Sequence, residues 1–383
     1  MDDNKIKMAI QFDITGTACN LDCNYCYRKG QGIKNRTTPA TFNYSVEHMV
    51  KALSKERLGG NAIICVCGGG ETLLPKETVP LIKGFLKEGH IVDLVSNLTL
   101  NHRIDELLDT PREDLERLIL KASFHYLELK RLNKLDDYFN NFNRLIKAGA
   151  SGSPVLAICD EYIPLLDEIK QLCLEKINDL PHLTSQIENF DTTMNPRPFF
   201  TSEFVENVKN KFNSGVFEAF SELLTISPQE HFCYAGEWDL VIDADTGNTR
   251  KCFYAPVEQN VFKDIKKPIK LEPIGYNCPK PNCALNYNWN GMGIMPDLKI
   301  KKYSQILFRP NTYNPKLLEM LDFKFKDFKK TYSEEEKQKI SKKVKKKFEK
   351  FTKKNKSGIN LKNKIRLKVY NYLKKKLEHK GLI

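Results

Sequence analysis

The chain has 383 residues, 41% of them hydrophobic, with 61 Lys/Arg against 48 Asp/Glu and a formal charge of +13. That length suits one large α/β domain with a smaller one appended, and the composition is that of an ordinary globular protein. No window approaches about 18 consecutive apolar residues, and the opening MDDNKIKMAIQF has neither an apolar core nor a small-residue cleavage site, which argues against a membrane-spanning helix and a secretory signal. The location expected is therefore cytoplasmic, where thiols stay reduced, and 11 cysteines in such a chain point to metal or cluster ligands rather than crosslinks. The charge is uneven: residues 301–383 carry 27 Lys/Arg against 8 Asp/Glu, while residues 1–300 carry 34 against 40. The basicity belongs to the tail, so the whole chain does not read as a nucleic-acid binder.

In chain order, MAIQFDIT (8–15) reads as a strand and SVEHMVKALSKE (45–56) as a helix capped by Ser45. NAIICVCGGGE (61–71) is a second strand running into glycines, with a helix near 78–88 behind it. HIVDLVSNLT (90–99) and LILKASFHY (118–126) are the third and fourth, followed by helices near 103–108 and 130–148, the latter closing on Gly149. SPVLAIC (153–159), a helix over 163–176 and LTSQIENF (183–190) complete six strand units. Strands alternating with helical patterns imply βαβ units and a parallel sheet, with chemistry at the C-terminal ends of the strands. A partial six-stranded (β/α) barrel of the TIM type or a doubly wound sheet would fit. The expected division is a core over 1–195, a helical connector over 196–230, a cysteine-rich hairpin region over 231–300 and a lysine-rich helical tail over 301–383. In the tail, Ile340, Val344, Phe348 and Phe351 share one helix face, and Ile365, Val369, Tyr372 and Leu377 another.

TGTACNLDCNYCYRKG (15–30) places Cys19, Cys23 and Cys26 within eight positions just behind the first strand. A structural zinc site takes four protein ligands, and no fourth cysteine or histidine lies nearby. Three thiolates can instead hold a four-iron cubane that leaves one iron open to a ligand.

The CxxxCxΦC spacing, with Tyr25 before its last cysteine, strongly resembles that of the radical S-adenosylmethionine (SAM) enzymes. Gly69, Gly70 and Glu71 are similar to the GGE segment that receives the methionyl amino group in that family, although Thr72 stands where proline is usual. Ser96 and Asn97 in SNLT resemble the TNG beside the cofactor, and Ser123 matches a serine that contacts its carboxylate or ribose. His125 falls where an aspartate is common. The resemblance implies a barrel fold and two cofactors, a [4Fe-4S] cluster and S-adenosyl-L-methionine. It also implies reductive cleavage to a 5′-deoxyadenosyl radical that abstracts hydrogen from substrate, with flavodoxin or ferredoxin as electron donor. On the residues alone, glycines at a strand end permit close backbone approach, Glu71 offers an acceptor to an ammonium group, and Tyr25 could edge an adenine.

Later, Cys233 and Cys252 flank a hairpin built from WDLVID and TRKCFY around ADTG, and Cys278 and Cys283 lie in NCPKPNC. The spacing of Cys233, Gly247 and Cys252 resembles the C-x9–15-G-x4-C opening of the SPASM and Twitch auxiliary-cluster domains. Four thiolates suffice for one auxiliary [4Fe-4S] cluster or for one zinc ion. Cys65, Cys67, Cys159 and Cys173 read as small apolar core residues. His125, Glu188 and Asp160 sit near predicted strand ends, but none is singled out as a general base. Relatives with auxiliary clusters act on peptides, protein side chains, sugars or aminocyclitols, so both small molecules and peptides stay open as substrates. The first strand is expected to begin near residue 8, leaving no room for a leader-binding domain ahead of it. The tail would suit an anionic membrane surface or an acidic partner better than nucleic acid, since no aromatic platform accompanies its charge. The rival outside enzymology is a zinc-binding interaction protein.

Overall fold

The structure, a computed structural model, describes residues 5–30, 36–188, 195–197 and 201–350. Six strands run parallel in sequence order: β1 (Ile6–Ile14), β2 (Asn61–Gly68), β3 (Ile91–Ser96), β4 (Leu118–Ser123), β5 (Ser151–Ile158) and β6 (His182–Glu188). Helices cross between them, as a parallel sheet requires. The arrangement is the expected α/β partial barrel, and the strand ends fall within a few residues of those read from the sequence.

The helices follow their local signals. Ser45 accepts the amide of His48 at 3.2 Å and starts Val46–Ala52, but Ser54 then caps a separate short helix, Lys55–Leu58, where one helix was expected. The expected helix over 130–148 is likewise two, Tyr126–Arg131 and Leu135–Ala148, interrupted at Asn133, whose φ is 53°. The second of these ends on Gly149 as expected.

Alternation along the strands sorts two faces. Ile10, Phe12, Ile64, Val66, Leu94 and Leu120 belong to the apolar core shared with the surrounding helices, where Phe12 meets Phe85 edge-on at 5.4 Å. The opposite face is polar. Gln11 donates to the sulfur of Cys67, which lies 3.9 Å from a carboxylate oxygen of Asp13. Deeper in, Lys121 and Asp93 form an ion pair at 2.6 Å, with their side chains 10% and 1% exposed. Cys65 and Cys67 therefore line this polar interior, not the apolar core expected for them, because both fall on the strand register of Gln11 and Asp13. Cys159 and Cys173 do lie in the apolar core.

Beyond the short strand β7 (Asn195–Arg197) come the connector helices Ser202–Phe212 and Gly215–Leu224. The hairpin strands β8 (Asp239–Asp243) and β9 (Asn248–Arg250) then pair antiparallel, and β10 (Gln259–Asn260) follows. Strand β8 also pairs parallel with β1, from Ala9 opposite Asp239 to Asp13 opposite Asp243. The strand order is thus β10-β9-β8-β1-β2-β3-β4-β5-β6-β7. Nothing local in the sequence announces a pairing between segments more than 220 residues apart.

One compact unit covers Met1–Thr331 and a second begins at Tyr332. The boundary expected at 301 is therefore displaced. Tyr303, Ile306 and Leu307 are buried, and the hydroxyl of Tyr303 donates to Asp93 at 2.8 Å, so residues 301–331 belong with the barrel. In the second unit residues 334–350 are helical, with Val344 buried and Ile340 and Phe348 half-buried on one face. Phe351 and the expected helix over 365–377 lie outside the described residues. Among the described residues no helix is long and apolar enough to cross a membrane.

Candidate cofactor and metal sites

Cys19, Cys23 and Cys26 lie on the loop at the C-terminal end of β1, Cys23 buried and the other two half-buried. Backbone bonds fix the loop: Thr17 and Ala18 donate to the carbonyl of Thr38, and Cys19 to that of Arg36. The amide of Cys26 reaches the carbonyl of Cys23 at 3.3 Å, turning the chain within the loop. Burial pushes the Cys23 thiol up to about 12, with further contributions from Glu128, Cys19 and Cys26, while Arg36 pulls the other way. Arg36 acts in the same sense on Cys19, and its isolated position in the sequence gave no sign of this. Among the described residues no three ligating side chains lie close enough to share a single metal ion. A multi-iron cluster spreads its thiolates wider than one ion does.

The glycines after β2 serve this loop first. A Cβ on Gly70 would collide with the carbonyl of Ala18, and one on Gly69 with the guanidinium of Arg28 and the carbonyl of Gly16. The amide of Glu71 donates to the carbonyl of Ala18 at 2.9 Å. The Glu71 carboxylate is buried and accepts three donors: the Ser96 hydroxyl at 2.6 Å, the Asn97 amide at 2.9 Å and the Leu73 amide at 3.0 Å. Burial raises its pKa, and those bonds counter the rise. Glu71 is thus a strut between the ends of β2 and β3, and any ammonium group it receives shares it with these donors. Asn97 extends the strut to the cysteine loop, donating to Asn20 at 2.9 Å. Leu98, at the place of the glycine in TNG, keeps φ at 53°, a left-handed conformation unusual for a branched side chain.

Tyr25 is held by its hydroxyl. Tyr162 donates to it at 3.0 Å, and it meets Nδ1 of His125 at 2.7 Å. The amide of Leu127 donates to the Tyr162 oxygen at 3.4 Å, so each hydroxyl proton points toward His125. Burial, reinforced by the charge of Arg36, lowers His125 to about 4, leaving a neutral ring able to accept from Tyr25. Ser123 is half-buried on the polar face of β4, opposite Val155 in the ladder to β5. Of the candidate bases, His125 is thus committed through Nδ1, Asp160 is solvent-exposed at the start of Asp160–Leu165 and does not reach the interior, and the side chain of Glu188 lies outside the described residues.

The later four cysteines converge although up to 50 residues separate them in sequence. Cys233, Cys252, Cys278 and Cys283 line one small cavity together with Tyr254 and Trp289. Cys233 bridges Gly275 through both backbone groups, at 3.3 and 3.0 Å. Gly247, with φ at 74°, makes the tight turn of the hairpin, and a Cβ there would meet the ring of Phe262. Gln229 clamps the carbonyls of Cys278 and Lys280 at 2.9 and 2.7 Å. Burial raises the pKa of all four thiols, and N–H groups counter the rise: the amides of Ala235, Tyr254 and Lys280 for Cys233, Cys252 and Cys278, and the side chains of Asn286 and Asn290 for Cys283. The N–H donors are of the kind that stabilises sulfur ligated to a metal or cluster. The donor set therefore fits a thiolate-ligated group. These amide donors were not legible beforehand, because they depend on loop conformation.

No curated protein matches the sequence. Among solved structures, the chain is similar to hexahistidine-tagged anSMEcpe with bound AdoMet, at 14% identity over 68% of this chain and 77% of that one, with a TM-score of 0.50. Streptococcus suis SuiB bound to precursor peptide SuiA matches at 14% identity over 70% of this chain, with a TM-score of 0.47, and the chain spans 65% of SuiB, just under two thirds. BtrN in complex with AdoMet and 2-DOIA matches at 11% identity over 80% of this chain and 99% of that one, with a TM-score of 0.34. The model of the Radical SAM superfamily matches residues 14–171, from the last residue of β1 through the cysteine loop, the Glu71 strut and β5. The chain therefore carries a domain of the radical SAM superfamily, enzymes that use S-adenosylmethionine at an iron–sulfur cluster.

Proposed function

We propose that the protein is a radical SAM enzyme with two iron–sulfur sites, which oxidises or crosslinks a small polar molecule or a peptide. Cys19, Cys23 and Cys26 hold the first cluster, and Cys233, Cys252, Cys278 and Cys283 an auxiliary one of the Twitch or SPASM kind. When bound, the first cluster supplies the electron that cleaves S-adenosylmethionine. The chain's own residues bind, orient and shield. Tyr25, anchored by Tyr162 and His125, presents its ring beside the cofactor. The Glu71 strut fixes the ends of β2 and β3 that flank it, and Ser123 faces the polar interior. Gln11, Asp13 and Cys67 line that interior and would meet a polar substrate group.

The observation that carries this reading is the convergence of four distant cysteines, each with an N–H donor, on one cavity of a chain whose barrel carries the radical SAM motif. A flavodoxin or ferredoxin is the electron donor proposed, and the lysine-rich tail is assigned to an anionic membrane surface or an acidic partner. The test is anaerobic purification with iron, sulfide and zinc counts. Two clusters require about eight irons per chain. The Cys23→Ala variant should retain about half of them and form no 5′-deoxyadenosine from S-adenosylmethionine. Zinc in place of the second set of irons would leave the superfamily chemistry standing and remove the auxiliary cluster.

A further inference from the structure

We propose that Asn286 and Asn290 are positioning residues for the auxiliary site: their side-chain amides orient the Cys283 sulfur and raise the reduction potential of the cluster bound there. The inference rests on the auxiliary-cluster reading above.

The geometry is local and follows from the sequence. Cys283 precedes the 3-10 turn Ala284–Asn286, which runs directly into the helix Tyr287–Gly291. Residues three and seven positions on from Cys283 fall on its own face of that helical run. Asn286 Nδ2 lies 3.6 Å and Asn290 Nδ2 3.4 Å from the Cys283 sulfur. The second proton of Asn290 goes to the carbonyl of Asn286 at 2.9 Å, which fixes the direction of the first.

Burial makes the arrangement costly unless it serves something. Asn286 is 7% exposed and Asn290 2%, and the carbonyl oxygen of the Asn290 side chain has no partner among the described residues. A buried polar atom left unsatisfied costs about 1–3 kcal/mol. Asn290 carries that cost, and what the two asparagines add is the pair of N–H groups aimed at sulfur.

The other three sulfurs indicate why Cys283 differs. For each, the backbone amide two residues further on, of Ala235, Tyr254 or Lys280, counters the rise in pKa that burial causes. At Cys283 the chain turns at once into the helical run, where Asn286 donates its amide to the carbonyl of Cys283 at 3.0 Å, and the sulfur is served by the side chains of Asn286 and Asn290 and not by the amide of Leu285 two residues on. Side-chain amides stand in for the missing loop amide. Hydrogen bonds to ligand sulfurs favour the more negatively charged, reduced cluster and so raise its potential.

The experiment uses the full chain, reconstituted anaerobically, with Cys23→Ala as background so that only the auxiliary cluster is redox-active. Midpoint potentials are read by EPR-monitored titration. Asn290→Leu and Asn286→Leu should each shift the potential to a more negative value with iron content unchanged, and the double variant should shift it further. The second single variant leaves the Asn290 side chain in place, so the test survives if Asn290→Leu does not fold. An unchanged potential in the variants at full iron content overturns the proposal while leaving the auxiliary cluster intact. Absence of iron from the Cys23→Ala background, before any asparagine is changed, overturns the auxiliary-cluster reading and this inference together.

Discussion

The carbonyl oxygen of Ala18 occupies the space that a Cβ on Gly70 would need, and the amide of Glu71 donates to that same oxygen at 2.9 Å. The turn after β2 and the loop carrying Cys19 are thus in backbone contact. Gly70→Ala should push the loop away, at an overpacking cost of about 1–3 kcal/mol. Because small displacements of reacting groups are expensive, cofactor cleavage should fall on the order of 100-fold. Iron content and 5′-deoxyadenosine formation check this, and an active, fully loaded alanine variant would refute it.

Glu71 offers a sharper contrast. Glutamine in its place keeps the shape but sets an NH2 group against donors that now converge on the carboxylate, from Ser96, Asn97 and Leu73. Glu71→Gln should lower stability by about 2 kcal/mol, the range expected when a charged acceptor is lost in a buried site. It should also weaken S-adenosylmethionine binding, measured by equilibrium dialysis. Denaturant titration separates the two effects.

His125 supplies a pH dependence. Its pKa in the folded chain is lowered to about 4 from an ordinary 6.5, so the unfolded chain takes up the proton first as pH falls. Its contribution is therefore fully present above 6.5 and is lost progressively down to about 4, amounting to at most roughly 3 kcal/mol. The melting temperature of the protein should fall more steeply across that window than that of His125→Gln, which has no ring there to titrate. Parallel curves would remove His125 from the account.

The ion pair in the barrel interior gives a fourth outcome. Lys121 and Asp93 lie 2.6 Å apart, almost without exposure. Lys121→Met strands the carboxylate and should cost about 3–5 kcal/mol, whereas pairing it with Asp93→Leu should recover most of that loss. Chemical denaturation of the single and double variants decides, and additive losses would contradict a coupled pair.

Much of this was legible in the sequence where the signal is local. The six parallel strands, the Ser45 cap, the Gly149 helix end and the CxxxCxΦC spacing each depend on a few neighbouring residues. What escaped depends on contacts across the chain. Cys65 and Cys67 look like apolar packing in the sequence because alternation alone does not say that the barrel interior is polar. Tyr303 falls within the lysine-rich stretch of the sequence, yet it closes on Asp93 from 210 positions away. Arg28 fills the space left by the missing side chain of Gly69, which no spacing rule anticipates.

Strand β1 has β2 on one side and β8 on the other. Proteolysis or truncation that removed the hairpin would strip one rim of β1 and leave a row of bare amides and carbonyls, with Ile10 and Phe12 among its side chains, free to recruit another copy of the chain. The cysteine-rich region thus also works as a selvedge that keeps the barrel's central strand from fraying into aggregates.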